Sequence, residues 1–191
     1  MEKIKARTLK DAELIQGCIN NCSYFQRKLY DKYSAKMFSV CLRYSDNYHT
    51  AEDLLQDGFV KVYKNISKFR GEGSFEGWIR RIFVNTAIEA YRKSSKMFTI
   101  HQEDVVDSKY FDDSTIDNLL EKDVLSLVQS LTPGYRTIFN LYVIEGFNHR
   151  EISEKLNISE GTSKSQLARA RYILQKKVLN HYKVAMSSEV G

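Results

Sequence analysis

The stretch from Phe69 to Lys93 constrains the fold more than any other part of the chain, because its pattern indicates a loop that leads into a long helix. Gly71 and Gly73 favour a break in the preceding structure, and the Ser74 hydroxyl is a candidate N-cap. The nineteen residues that follow contain no proline. Two adjoining helical faces are apolar: Phe75, Ile79, Ile82, Phe83, Thr86 and Ala90 on one, and Val84, Ala87, Ile88 and Tyr91 on the other. The sequence therefore predicts a helix that is buried over most of its surface.

One narrow stripe of that helix is polar. This polar stripe consists of Arg81, Asn85, Glu89 and Arg92, and Trp78 lies beside it near the loop. Guanidinium groups suit phosphates, an amide suits base edges, and an indole suits stacking on an unpaired base. The stripe thus favours a nucleic-acid surface that holds unstacked bases. A core helix with a solvated charged strip has the same pattern, and one helix cannot decide between the two.

Composition favours an all-helical protein with one large or two small domains. The 191 residues include one proline and nine glycines, and 42% of them are hydrophobic. Residues 61–93 hold eight Lys or Arg against three acids, and residues 148–183 hold the same numbers. Between them, residues 94–117 hold six acids and two lysines. Two basic modules joined by an acidic linker fit a polyanion that is contacted in two places.

Several function classes find no support in the sequence. Residues 1–10 lack the apolar core of a signal peptide, and no apolar run approaches membrane-spanning length, so we expect a cytoplasmic protein with no membrane insertion. Cys18, Cys22 and Cys41 lack partners for a four-ligand set, so reduced, buried thiols are expected and no metal site. No phosphate loop or activated nucleophile is found, so neither an enzyme nor a bound cofactor is expected.

The first half of the chain predicts two scaffold helices, over 11–22 and 24–44, and a third helix from Ala51 to about Ile66 that Thr50 would cap. Leu54, Leu55, Phe59, Val62 and Ile66 point inward on the third helix, where Gly58 allows close approach. Its outer face consists of Asp53, Gln56, Asp57, Val60 and Lys64. An exposed valine among polar groups suits a protein docking surface, although an ordinary solvated face has the same pattern.

The second half predicts a helix-turn-helix. After a helix over 116–130 and Pro133 at the start of another, Asn148 and Glu151 form a candidate capping box. Asn157 tolerates the left-handed turn, and Ser159 caps a final helix that runs to about Leu179. Thr162, Ser165, Arg169 and Lys176 lie on its outer side, flanked by Gln166 and Tyr172. Small hydroxyl groups near the helix start and cations along its length suit insertion into a DNA major groove.

Taken together, these motifs resemble the two-domain sigma factors of bacterial RNA polymerase, the extracytoplasmic-function (ECF) group, over about residues 14–177. Residues 51–57, Ala-Glu-Asp-Leu-Leu-Gln-Asp, resemble the family's polymerase-clamp helix. Trp78-Ile79 with Ile82, Asn85 and Tyr91-Arg92-Lys93 resembles its promoter −10 helix. Residues 161–167 with Arg169-Ala170-Arg171 resemble its −35 recognition helix. All three motifs occur in the family's order.

The resemblance implies an N-terminal helical domain (residues 1–93) that binds core polymerase and the opened −10 strand, and a flexible acidic linker (94–117). It also implies a helix-turn-helix domain (118–183) on the −35 duplex, followed by a disordered tail (184–191). The residues implied for core polymerase are Asp53, Gln56 and Asp57. Those for the −10 region are Arg70, Phe75, Trp78, Arg81, Asn85 and Arg92, and those for the −35 region are Thr162, Lys164, Ser165 and Arg169. An anti-sigma factor is a candidate partner, because many family members have one.

Three points stay open at this level. Trp78 also suits a structural role, anchoring its helix in the core. Ser163 occupies a position where the family usually has valine, so either the helix packs more loosely there or the hydroxyl finds a backbone partner. A stand-alone helix-turn-helix regulator would explain the C-terminal half without polymerase. It predicts no function for the face formed by Asp53, Gln56 and Asp57.

Overall fold

The computed structural model describes residues 10–97 and 119–188, and these are helical without any strand, as the composition predicts. The first part contains α1 (Asp11–Ile19), α2 (Ser23–Tyr44), α3 (Tyr48–Asn65), a 3-10 turn (Ile66–Lys68) and α4 (Phe75–Met97). The second contains α5 (Leu119–Gln129), α6 (Pro133–Phe139), a π-helical turn (Asn140–Ile144), α7 (His149–Leu156) and α8 (Glu160–Ser188).

The contacts divide the chain into two compact units. The first comprises the described residues of Met1–Cys41 and Glu52–Thr86, and the second those of Leu42–Ala51 and Ala87–Gly191. This grouping crosses the domain boundary predicted from the sequence, which stays a prediction. The reason is that α5 and the π-helical turn form hydrogen bonds with the end of α2 within the second unit. The side-chain amide of Gln129 donates to the Leu42 carbonyl at 3.0 Å, and the side-chain amide of Asn140 donates to the Arg43 carbonyl at 2.6 Å.

The core of the first unit is formed by the predicted inward faces. Buried side chains of α2, α3 and α4 meet there: Leu29, Tyr33, Met37, Val40, Cys41, Leu54, Leu55, Phe59, Val62, Phe75, Ile79, Phe83 and Val84. Phe59 and Phe83 pack edge to face, with ring centroids 5.3 Å apart. Gly58 is required for this packing, since a Cβ there would lie 2.2 Å from Cε1 of Phe83.

The thiols are free, and Cys18 and Cys41 are buried as predicted, whereas Cys22 is half-buried. Burial raises the pKa of the Cys18 thiol to about 11 and that of the Cys41 thiol to about 12. Because the thiolate is the reactive form, these two side chains are inert packing groups at neutral pH.

In the second unit, α6 and α7 pack against α8 around Ile138, Leu141, Ile152, Leu167 and Ala170. Arg136 is the exceptional core residue, because it is charged and only 4% exposed. Its Nη2 donates to the carbonyls of Gln129 and Leu131, at 2.9 and 2.8 Å, and so satisfies backbone acceptors at the end of α5. The sequence pattern did not single out this residue.

Several predicted helix boundaries need correction. Asn47, not Thr50, caps α3: its Oδ1 accepts from the Thr50 amide at 2.8 Å, so the helix begins three residues earlier than predicted. Helix α4 continues past Lys93 to Met97, because the Ser94 and Ser95 hydroxyls bond back to carbonyls of their own helix instead of ending it. The remainder of the predicted linker, residues 98–117, lies outside the described residues.

The C-terminal boundaries also differ. Helix α8 continues to Ser188 and includes residues 184–188 of the predicted disordered tail, since residues 162–190 contain no glycine or proline. Residues 189–191 lie outside the described residues. The helix that was predicted to begin at Pro133 widens into a π-helical turn after Phe139, where the Glu145 amide donates to the Asn140 carbonyl at 3.0 Å. Gly146, at the left-handed φ of 76°, follows this turn.

Candidate nucleic-acid interface

The polar stripe of α4 is solvent-exposed along its whole length. Arg81, Asn85, Glu89 and Arg92 are all exposed, whereas Phe83, Val84, Ala87 and Ile88 are buried. The loop before the helix ends as predicted, with Ser74 Oγ accepting from the Gly77 amide at 3.3 Å. Gly71 and Gly73 both have left-handed φ values, 77° and 80°, which favour glycine. The exposed stripe therefore begins about two turns after a sharply folded basic loop that includes exposed Arg70.

An aromatic cluster supports this loop. Trp78 stacks on Phe75, with ring centroids 5.7 Å apart and an interplanar angle of 14°, and Phe69 contacts both rings at 5.1 and 5.6 Å. Phe75 is 4% exposed and meets Tyr33 edge to face, so we assign it to the core and not to the DNA contacts that the resemblance implies. Trp78 is half-buried, so it can anchor the helix in the core and still expose part of its ring to a ligand. The sequence pattern did not assign Phe69 to this aromatic cluster.

The outer face of α3 is exposed as predicted. Asp53, Gln56, Asp57 and Lys64 are exposed, and Val60 retains 48% of its surface. An apolar side chain surrounded by carboxylates and an amide gives a small surface with an apolar centre and a polar rim, which is the pattern of a protein contact. It lies opposite the buried Leu54, Leu55, Phe59 and Val62, so a partner could occupy it without disturbing the core.

The helix-turn-helix forms with the predicted caps. The Asn148 side chain accepts from the Glu151 amide at 2.9 Å, and the Glu151 carboxylate accepts from the Asn148 amide at 2.8 Å. Asn157 adopts the left-handed conformation at φ 56°, and Ser159 Oγ accepts from the Thr162 amide at 2.9 Å. These local bonds fix the start of α8, so the helix that faces outward has a defined first turn.

The buried side of helix α8 is held by a side-chain network that the sequence did not reveal. Ser163 is fully buried, and its hydroxyl lies 3.0 Å from Nδ1 of His149. The His149 ring stacks on Tyr142 at 4.6 Å, and the Arg171 guanidinium lies 5.5 Å from the Tyr142 ring centroid. The Ser163 hydroxyl thus finds a side-chain partner, not the backbone partner considered from the sequence.

The four residues implied for the −35 region lie along the outer side of α8. Lys164, Ser165 and Arg169 are exposed, whereas Thr162 is half-buried and its hydroxyl lies 2.9 Å from that of Ser159. Lys164 makes a 3.8 Å ion pair with Glu160 one turn earlier. Hydroxyl groups at the first turns and cations further along can bond to base edges and phosphates together.

Among the described residues, none of the helices has both the length and the apolar composition that a membrane span requires. Both basic segments of the sequence present cations on exposed helix faces. Helix α4 presents Arg81 and Arg92, and helix α8 presents Lys164, Arg169 and Lys176.

Comparison with known proteins agrees with this arrangement. The chain matches the Sigma-70 region 2 model over residues 29–97 and the Sigma-70, region 4 model over residues 121–174. It is 30% identical over 160 residues to the ECF RNA polymerase sigma factor SigW of Bacillus subtilis (strain 168), covering 78% of this chain and 86% of that protein. It is 31% identical over 151 residues to SigM of the same organism, covering 78% and 91%.

A third relative aligns over almost the entire length of both proteins. The ECF RNA polymerase sigma-E factor of Haemophilus influenzae is 26% identical over 187 residues, which cover 91% of this chain and 97% of that protein. The region 2 match includes α4, the region 4 match includes the first half of α8, and each relative aligns with both segments in one continuous chain. The chain therefore belongs to the extracytoplasmic-function family of RNA polymerase sigma factors.

Proposed function

We propose that the exposed helix faces of this sigma factor divide promoter recognition among them. Because it belongs to the sigma factor family, the protein directs core RNA polymerase to promoters and is not itself an enzyme. Its place of action is the cytoplasm, together with the polymerase. The assignment of residues to steps is our proposal, and its main support is the exposed polar stripe on the otherwise buried helix α4.

The −10 step belongs to α4 and the preceding loop. Arg81 and Arg92 contact phosphates of the opened strand, Asn85 bonds to a base edge, and the half-buried Trp78 offers one edge to an unstacked base. The loop that bears Arg70 contacts the flipped bases. Unstacking and unpairing cost a few kcal/mol per base, and contacts made only with the opened strand offset that cost. Binding energy therefore promotes strand opening, while the polymerase supplies the chemistry.

The −35 step belongs to α8. Lys164, Ser165 and Arg169 are exposed over the first turns, where a helix-turn-helix protein inserts its recognition helix into the major groove. The Thr162 hydroxyl lies 2.9 Å from that of Ser159, whose Oγ also accepts from the Thr162 backbone amide, so Thr162 is held in place in the first turn. Arg169 has the geometry to reach guanine or a neighbouring phosphate.

The core-polymerase step belongs to the outer face of α3. Asp53, Gln56 and Asp57 surround the exposed Val60, so the proposed interface has an apolar centre that a partner would desolvate. An anti-sigma factor is a further predicted partner, which would compete for one of these exposed faces.

A direct test starts with the purified chain and bacterial core RNA polymerase. We expect a stable complex on gel filtration and discrete new transcript starts on genomic DNA, from whose upstream sequences the −10 and −35 elements can be read. An Arg169→Ala variant should weaken binding to that −35 duplex by about 1–3 kcal/mol. Duplex binding by the chain alone, without polymerase association or new starts, would instead support a stand-alone regulator.

A further inference from the structure

The outer side of α8 has a tyrosine ring between two cations. Lys176 Nζ lies 4.8 Å from the centroid of the Tyr172 ring, and Arg169 Cζ lies 5.5 Å from it. Tyr172 is 46% exposed, so its ring is not there to fill the core. A hydrogen bond with Lys176, followed by the charge of that residue, lowers the pKa of the Tyr172 hydroxyl. These three residues, the Tyr172 cluster, form one assembled cationic patch.

Helix geometry places the Tyr172 cluster on the side that is proposed to face DNA. Because successive helical residues are about 100° apart, five side chains fall within an arc of about 80°: Thr162, Ser165, Arg169, Tyr172 and Lys176. The first three of these are already assigned to the −35 region. The cluster therefore continues the same surface toward the C-terminal part of α8.

Distance along the helix decides what the Tyr172 cluster can touch. Tyr172 lies ten residues beyond Thr162, which corresponds to about 15 Å at the rise of an α-helix. The major groove is only about 12 Å wide. If the first turns of α8 occupy the groove, Tyr172 and Lys176 lie at its edge, where the sugar–phosphate strand is the nearest feature.

We propose that Tyr172 is a phosphate-contacting and positioning residue of the −35 interaction, and this inference rests on the proposed docking of α8. Its ring holds Arg169 and Lys176 against one face of the helix, and its hydroxyl can donate to a phosphate oxygen. Arg and Lys side chains lose much rotamer freedom on binding, so cations that are already stacked lose less. Phosphates have no sequence identity, so Tyr172 contributes affinity and register rather than base choice.

The test uses holoenzyme reconstituted from core polymerase and the full chain. Binding is measured at low temperature, before strand opening, to a promoter fragment identified by start mapping and to the same fragment with a scrambled −35 element. Tyr172→Leu should weaken binding to both fragments by about fivefold, because it removes two exposed cation–π contacts whose combined free energy corresponds to that loss of affinity. In a plot of log affinity against log salt concentration, the slope for Tyr172→Leu should be smaller in magnitude than that for the wild type by about one. Tyr172→Phe retains the ring, so it should lose about twofold at most.

Two further measurements separate positioning from a general surface effect. Tyr24→Leu removes another exposed tyrosine with a lysine four residues later, Lys28 at 5.9 Å. Tyr24 is on α2, to which no DNA contact is assigned, so this variant should leave binding unchanged. When Arg169→Ala and Lys176→Ala are already present, adding Tyr172→Leu should change affinity by less than about twofold, because no cation remains to be positioned. A full fivefold loss in that background would overturn the positioning role.

The outcomes also distinguish this inference from the proposed docking. A loss confined to the intact −35 element would make Tyr172 a base-reading residue and overturn the phosphate assignment. If Tyr172→Leu binds like the wild type while Arg169→Ala is weakened, the inference is wrong and the docking of α8 stands. If neither change weakens binding, the docking itself is wrong.

Discussion

Ser163 shows how one buried hydroxyl can position a recognition helix. It occupies a fully buried position on α8, and its partner is Nδ1 of His149 at the start of α7, 3.0 Å away. We expect Ser163→Ala to lower the free energy of unfolding by about 1 kcal/mol, because the half-buried imidazole nitrogen loses its partner. Urea unfolding followed by circular dichroism would measure this change.

A double-mutant cycle isolates that pair. His149→Phe retains a ring that can stack on Tyr142 but removes the nitrogen, so Ser163→Ala should cost measurably less in the His149→Phe background. Equal costs in both backgrounds would mean that the hydroxyl stabilises α8 in some other way.

Asn85 offers a residue-scale test of the −10 assignment. Its side chain is exposed on a helix whose neighbouring positions are core, so its removal should leave the fold intact. If its amide contacts a base only after the strands separate, Asn85→Ala should reduce strand opening by about tenfold, one hydrogen bond's worth, and leave the closed complex nearly unchanged. Permanganate reactivity of unpaired thymines reports opening, and footprinting at low temperature reports the closed complex. Equal loss in both assays would exclude a role specific to the single strand.

At the scale of helices, Arg136 is a buried charged cap. Its guanidinium bonds to two carbonyls at the end of α5, and burial lowers its pKa. We expect Arg136→Met to destabilise the protein by about 3 kcal/mol, because two carbonyl groups lose charge-assisted bonds while the side-chain volume is largely retained. The exposed Arg150, which forms a surface ion pair with Glu154 one turn later, is the matched control. Arg150→Met should change the free energy of unfolding by less than about 0.5 kcal/mol.

Gly58 sets the separation of α3 and α4. A methyl group there would meet the Phe83 ring at 2.2 Å, so Gly58→Ala should cost about 1–3 kcal/mol through overpacking, less the gain in helix propensity. Gly77 on α4 is the control, because its added Cβ would meet only the Ser74 Cβ at 3.7 Å. Gly77→Ala should therefore be neutral or slightly stabilising. Chemical denaturation of both variants would reveal the difference, and equal effects would show that the close approach is not limiting.

At the scale of the whole molecule, the exposed faces are proposed to bind different partners on different helices. Asp53→Lys combined with Asp57→Lys reverses the charge of the α3 outer face without touching its buried side. We expect this variant to lose core-polymerase binding, because ammonium groups would replace the carboxylates around Val60 and would repel partner groups that suit carboxylates. Helical content should be unchanged. Gel filtration with core polymerase and circular dichroism measure the two properties.

The matched control for that variant changes the net charge by the same amount elsewhere. Asp31 on α2 and Glu72 in the loop before α4 are both exposed and lie off α3. Asp31→Lys with Glu72→Lys should retain polymerase binding. If it loses binding as well, total charge and not the α3 face governs the association.

Across these scales, the sequence by itself determined the all-helical class, the faces of α3 and α4, the capping box at Asn148 and the turn at Asn157. Each depends on neighbours within a few residues, where periodicity and local hydrogen bonds dominate. The identity of the family also followed from short motifs in order, and the comparisons confirmed it. The roles of individual site residues stay predictions that the experiments above address.

Only the tertiary structure decided the rest. The burial of Phe75 against Tyr33 of α2, the Ser163–His149 pair and the buried Arg136 all depend on groups brought together from separate elements. The same is true of the bonds from Gln129 and Asn140 to the end of α2, which span 87 and 97 positions. A local pattern fixes which face of a helix is apolar, but packing decides which neighbour that face meets, and long-range partners determine which polar groups can be buried.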